Sequence, residues 1–422
     1  MFATIKQIFN PKNKDLQKKV LFTLLVLFIF KLGTTIIVPG VDKNSLGTDD
    51  LGFLELINAM GGGALEKFSI FALGVMPYIT ASIVIQLLQM DIVPYLAELS
   101  KQGQAGRTKT NQITRVLGIV LAFIQGYMMS FAFIKGGTVW DYMQFSTVLT
   151  AGTAFLLWLG DQITVKGIGN GISLIIMAGI IASLPVMFVD AWGGLVTSGS
   201  VQGTFLGIAT FVIFVLIYLI IVAGIVYVQL AERRIPIQYA NKSTSNLGKQ
   251  NYIPFKLNSA GVIPVIFASA LVSIPALIAQ FIKNDAFSVF VSKWLSMNTI
   301  TGFILYIAFI IGFSYFYTYL QLKPKEMAEN LQKNGGYIPG VRPGEETISY
   351  VSKILNRITV VGAIFLAFIA GLPIIFGMIS KLPTSVSIGG TGLLIVVGVA
   401  LESYKQLESQ LVSRNYSRSK RR

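Results

Sequence analysis

Cysteine and histidine are both absent from this 422-residue chain. Disulfides, thiol nucleophiles, zinc sites of the usual kind and histidine general bases are therefore excluded. Charge is scarce too. Asp, Glu, Lys and Arg make up 13% of the residues, about half the share found in a soluble protein. The 19 acidic residues fall almost wholly in connecting segments, which argues against a carboxylate-only enzyme. No GxxxxGK[ST] loop is present, so any use of ATP belongs to a partner. The chain is expected to be no enzyme, and neither a cofactor nor a metal is expected.

What is plentiful is apolar sequence. Hydrophobic residues make up 53% of the chain, and several separate runs approach or exceed the length that crosses a bilayer. The pattern predicts an all-α polytopic membrane protein with about ten transmembrane helices. They lie near 20–38, 68–88, 113–134, 148–160, 172–189, 205–228, 261–282, 300–320, 358–378 and 389–401. The fourth and tenth are short and are expected to borrow flanking residues. The first run ends in IIVPG and a second run follows it, so it is not expected to be a cleaved signal.

Lys and Arg crowd alternate connections: the N-terminus, 89–112 with Arg115, 161–171, 229–260, 321–357 and the tail. The other side holds only Lys43, Lys67, Lys135, Lys283, Lys293 and Lys381. By the positive-inside rule both termini are cytoplasmic. The net charge of +15 fits such loops and an anionic surface or partner.

The stretch 61–88, GGGALEKFSIFALGVMPYITASIVIQLL, is the most unusual span. Gly74 and Pro77 fall in its middle, where proline bends a helix, and Thr80, Ser82 and Gln86 bring polar atoms that avoid lipid. It borders either a cavity or another helix. Before it, LGFLELINAMGGGAL is an apolar piece on a glycine joint, either movable or a fixed re-entrant element. Lys31 is the one ionisable residue well inside a predicted span. It is a candidate functional residue, or an ammonium that snorkels or meets a carbonyl. The predicted spans contain no midplane carboxylate, against the usual pattern of ion-coupled transporters.

Two cytoplasmic connections, 229–260 and 321–357, are long for an economical protein and mix basic with aromatic residues. Such surfaces suit an acidic or nucleic-acid partner. The tail SRNYSRSKRR reads as a disordered basic end.

Seven segments, in order, resemble the SecY family, the central subunits of bacterial protein-export channels. They are FALGVMPYITASIVIQLL (71–88), KQGQAGRTKTNQITR (101–115), WLGDQITVKGIGNGISLIIMAGIIASLP (158–185), AERRIPIQYA (231–240), YIPFKLNSAGVIPVIFASAL (252–271), GYIPGVRPGEET (336–347) and GGTGLLIVVGVALE (389–402). The resemblance implies two five-helix halves, 1–189 and 190–422, around a central pore in the bacterial cytoplasmic membrane. It implies a plug over about 53–65, including Phe53, Leu54, Leu56, Ile57, Met60 and Leu65. It implies a pore ring of Val75, Ile79, Ile176, Ile266 and Ile395, with Ala270 where relatives often carry a larger or polar residue. A lateral gate would include Thr80, Gln86 and Asn258.

The partners implied are SecE and SecG subunits, the SecA motor ATPase, the ribosome, signal sequences with unfolded preproteins, and anionic lipids. Arg233, Arg234, Lys242, Lys249, Arg342 and Arg357 would face the motor or the ribosome. The implied function is export of unfolded preproteins and lateral insertion of apolar helices. An accessory SecY paralogue with narrow substrates, a secondary transporter or flippase, and a small-ion channel are the alternatives.

Overall fold

The computed structural model describes residues 13–39, 58, 61–89, 92–134, 136–197, 204–239, 251–281, 285–296, 299–380 and 384–419. In chain order the elements are α1 (Lys14–Gly33), α2 (Met76–Leu88), α3 (Pro94–Lys101), α4 (Gly103–Phe133), α5 (Val139–Lys166) and α6 (Gly171–Trp192), which a π turn over Gly193–Thr197 continues. Then come α7 (Thr204–Leu230), β1 (Glu232–Tyr239), β2 (Asn251–Lys256), α8 (Ile263–Phe281), α9 (Asp285–Trp294), α10 (Ile300–Gln321), α11 (Pro324–Lys333), β3 (Gly336–Tyr337), α12 (Glu345–Ser380) and α13 (Thr384–Ser419). Among the described residues, six helical stretches are long and apolar enough to cross a membrane: Gly103–Phe131, Val139–Lys166, Gly171–Val196, Phe205–Leu230, Ile300–Lys333 and Glu345–Leu372. Met76–Leu88 and Ile263–Val272 are apolar but shorter.

Packing divides the chain into two compact units, Met1–Ser198 with Leu382–Arg422, and Gly199–Lys381. In the first, α4 packs on α2 and α5, α6 packs on α5 and α13, and α1 lies against α5 and α6. Backbones approach closely where glycine allows it. A Cβ on Gly171 would lie 1.8 Å from the Gly160 carbonyl oxygen, and one on Gly152 would lie 2.0 Å from that of Ile70. Two threonines and an asparagine order the turn between α5 and α6. Asn170 Oδ1 accepts from the Ile172 and Ser173 amides, Thr164 Oγ1 from Gly171 N–H, and Thr23 Oγ1 from Ile168 N–H.

Several expected boundaries are corrected. The span expected over 68–88 is helical only from Met76. Pro77 lies in the first turn, where its missing N–H has no helical partner to lose, so it starts the helix rather than bending it. Residues 61–75 run instead through turns, with Phe68 and Gly74 at φ 51° and 56°. Their backbone groups are satisfied in other ways. Ser69 N–H donates to the Ala64 carbonyl, Val38 N–H to Phe68, Ile70 N–H to Ile36 and Thr153 Oγ1 to Gly74. Non-helical backbone at membrane depth requires such shielding within protein.

The first span also stops short of Val38. α1 ends at Gly33, whose missing Cβ admits the Phe71 ring, and Thr34 and Thr35 hydroxyls bond back to the carbonyls of Lys31 and Leu32. The two helices expected to be short are long, with 28 residues in α5 and 36 in α13. A Thr138–Asp141 capping box starts α5 nine residues before the apolar run. α13 continues through Ser419, so most of the tail expected to be disordered is helical.

In the second unit, α10 packs on α8 and α12, and α11 packs on α12. The two long connections expected to be loops form one small body. Antiparallel β1 pairs with β2 from Glu232↔Lys256 to Ile237↔Asn251, and its far end pairs with β3 at Gln238↔Tyr337. The sheet order is β2-β1-β3. Ile235, Phe255, Ile338, Val351, Leu355 and Ile358 form its buried core. Alternation along β1 turns Ile235 and Ile237 inward and Arg234 outward, while Arg233, near the strand's start on the parity of the isoleucines, is exposed as well.

Candidate functional site

Around residues 61–75 the first unit is densely apolar. Ala64, Leu65, Phe71, Ala72 and Leu73 are all buried. The Phe71 ring stacks between Phe30 of α1 and Phe155 of α5, with centroids 6.2 Å and 6.1 Å away. This clamp holds the chain just before the expected ring. Val75 caps α2 and Ile79 follows one turn later, its N–H bonded to the Val75 carbonyl. Ile176 lies in the second turn of α6 and Ile395 in the fourth turn of α13. These four are buried in the first unit. Close α6–α13 contact, where a Cβ on Gly392 would lie 2.7 Å from Ile180 Cγ2, sets the spacing of two of the carriers. Ile266 is half-buried near the start of α8 in the second unit. Ala270 is half-buried one turn on. All five side chains expected in the ring are branched and aliphatic, and such surfaces shed water.

Of the expected plug residues, Leu65 is buried at 2% exposure, while Phe53, Leu54, Leu56, Ile57 and Met60 lie outside the described residues. Asn58 is described. Its Oδ1 accepts from Glu66 N–H, its Nδ2 donates to the Glu66 carboxylate, and its carbonyl accepts from Gly63 N–H.

The expected gate residues make bonds close at hand. Thr80 Oγ1 donates to the Met76 carbonyl, Gln86 Nε2 to Ser82 Oγ and Asn258 Nδ2 to the Gly261 carbonyl. Gln86 Oε1 is buried with no partner among the described residues.

On the sheet body, Arg233, Arg234, Arg342 and Arg357 are exposed, while Lys242 and Lys249 lie outside the described residues. Arg234 bonds Glu232 at 2.8 Å and lies 4.7 Å from the centre of the Tyr252 ring. The bond to Glu232, helped by Tyr252, raises its pKa above the ordinary arginine value. The 341–347 turn is held from below. The Thr347 hydroxyl donates to the Arg342 carbonyl and Arg342 N–H to the Glu346 carboxylate, leaving the Arg342 side chain pointing outward, exposed.

One pair escaped the sequence reading. Arg115 and Asp161, assigned to connections, lie within long helices and form an ion pair between α4 and α5. Both helices are long and apolar enough to cross a membrane. The signal was present: between Gly106 and Ile113 nothing breaks a helix, so α4 could be extended back past Arg115.

The SecY family profile matches residues 69–404. "Protein translocase subunit SecY" of Halalkalibacterium halodurans is 48% identical over 428 residues, covering 99% of each chain. The proteins of that name from Bacillus subtilis and Staphylococcus aureus are 48% and 47% identical, again over 99% of each chain. Two solved structures share the fold. One, "The structure of a protein conducting channel", has a TM-score of 0.67 at 21% identity, covering 94% of this chain and 93% of that one. The other, "Sec61 in the Canine ribosome-channel complex from the endoplasmic reticulum", has a TM-score of 0.66 at 19% identity over the same shares.

Proposed function

The chain belongs to the SecY family, and from that premise we propose that it conducts unfolded preproteins across the bacterial cytoplasmic membrane and releases apolar helices sideways into it. The observation that carries this reading is near-identical length at 48% identity to relatives named as protein translocase subunits. The finer architecture follows the family: ten spans in two halves, 1–189 and 190–422, with a plug over 53–65 and both termini cytoplasmic.

The closed pore is sealed by Val75, Ile79, Ile176, Ile266 and Ile395. Their side chains offer water no hydrogen bond, and rotamer changes let the collar widen around a passing chain. Plug residues Phe53, Leu54, Leu56, Ile57, Met60 and Leu65 cover it from outside. Thr80, Gln86 and Asn258 form the polar part of the lateral seam. Polar contacts between membrane helices are each worth about 1 kcal/mol, weak enough for an inserting signal sequence to displace. The unpartnered, buried Gln86 Oε1 supports this assignment, since such an acceptor is costly unless another state satisfies it.

The sheet body serves as the docking face for the SecA motor and the ribosome, through Arg233, Arg234, Lys242, Lys249, Arg342 and Arg357. Its buried core supports this, because a rigid body can transmit a push that a loose loop would absorb. SecE and SecG are the companion subunits, and anionic lipids are matched by the basic cytoplasmic segments. Reconstitution tests the proposal. Proteoliposomes holding this chain and its companions should import an unfolded preprotein into a protease-protected state when an export ATPase and ATP are added. Passage of small solutes without any protected polypeptide would favour a transporter and overturn it.

A further inference from the structure

Arg115 and Asp161 pair across the contact of α4 and α5. Arg115 stands just before the apolar run that begins at Val116, and Asp161 just after the run FLLWLG. The ion pair therefore ties the two helices at one end of their apolar contact. Further along, the Ser146 hydroxyl donates to the Phe123 carbonyl, and a Cβ on Gly126 would lie 3.3 Å from Ser146 Oγ. α2 lies against this frame. One turn beyond Arg115, on the same face of α4, a Cβ on Gly118 would lie 3.2 Å from Tyr78 Cα. The Tyr78 hydroxyl lies in the field of both charges. The next residue is Ile79, buried at 9% exposure. Just before α2, Thr153 of α5 donates to the Gly74 carbonyl. The start of α2 thus rests on α4 through Tyr78 and on α5 through Gly74, and the ion pair fixes these two supports against each other.

We propose that Arg115 and Asp161 are a positioning pair for the start of α2: by holding α4 against α5 they set where Ile79 stands. That Ile79 belongs to the pore seal rests on the functional reading above, and the positioning does not. The two side chains are 44% and 27% exposed, and an ion pair so open to its surroundings adds little to stability. What it adds is direction. A planar guanidinium meets a carboxylate in a preferred geometry, whereas apolar contact between the same helices has none.

The chain has no cysteine, so a single engineered one reports water access without background. The test compares the native pair with Arg115→Met/Asp161→Leu, which keeps apolar packing and leaves no lone charge behind. In proteoliposomes, Ile79→Cys should react with a small charged thiol reagent about fivefold faster when the pair is gone, the scale of one polar contact between membrane helices. Leu149→Cys, at a fully buried position on α5, should label equally slowly in both backgrounds. Arg115→Lys keeps the charge and should leave Ile79→Cys near its native rate. With Ile79 itself in place, resting ion leak should rise in the double variant. Unchanged labelling of Ile79→Cys would overturn the positioning. Equal acceleration at Leu149→Cys would overturn it too, because it would mean general loosening. So would a full acceleration in Arg115→Lys, which would place the effect in the packing of the arginine rather than its charge. Faster labelling at Ile79→Cys alone, with no added leak, would support the positioning and sink the reading of Ile79 as part of the seal.

Discussion

Gly152 and Gly171 show how little room the first unit leaves. At each, a methyl group would fall about 2 Å from a backbone carbonyl oxygen on a neighbouring segment, and backbone cannot swing aside as a side-chain tip can. Gly152→Ala should therefore destabilise the protein by about 2–3 kcal/mol through overpacking. Thermal unfolding in detergent checks this, and a midpoint within a degree of wild type would contradict it. Arg342 makes the opposite case. Its turn is held by Thr347 and Glu346 through backbone atoms, so the side chain can change without disturbing the fold. Arg342→Glu should weaken motor-driven transport while membrane abundance stays normal; normal transport at equal abundance would remove Arg342 from the coupling face.

At the scale of elements, the cytoplasmic body makes the clearest prediction. Phe255 is 1% exposed in its core. Phe255→Ala should cost about 3–5 kcal/mol by the usual price of a large buried truncation. The loss should show first as protease cleavage within 229–260, with the helices of the second unit still intact. Uniform cleavage along the chain would mean the body is not a separate folding element.

This body also marks the limit of what could be read from sequence. The residues 229–260 and 321–357 stood out by length and charge, but β1 and β3 lie about a hundred positions apart, and no local pattern joins them. The apolar stretches of the long helices were legible because a 20-residue apolar run has one cheap solution in a bilayer. Their ends were not. The α5 start depends on a polar capping box outside the hydropathy signal, and α2 begins late because turns at 61–75 find their hydrogen bonds among themselves, on Ile36 and Val38 beyond α1, and on α5. At the candidate site, Val75, Ile79, Ile176, Ile266 and Ile395 were named by resemblance to the family. Nothing in their own chemistry separates them from other aliphatic residues of a membrane helix. The Lys31 ammonium donates to the Gly62 carbonyl at 3.3 Å, and this bond was half legible: the charge was conspicuous and a carbonyl was among its possible partners, but which carbonyl required the fold.

For the whole molecule, the proposed channel is closed by a dry aliphatic collar and opened by its cargo. Ile79 and Ile395 are two of its proposed members, both buried in the first unit. Replacing both with Asn puts amide donors and acceptors where only methyl groups stood, so water should persist in the constriction. Destabilising the closed state also reduces the differential binding a signal sequence must supply, so defective signals should pass. The measurement is single-channel conductance of Ile79→Asn/Ile395→Asn in planar bilayers, with thermal unfolding followed on the same preparation. Resting conductance above wild type, from protein that remains folded, is the predicted result; a lowered unfolding temperature with no added conductance would mean that these side chains only pack the bundle.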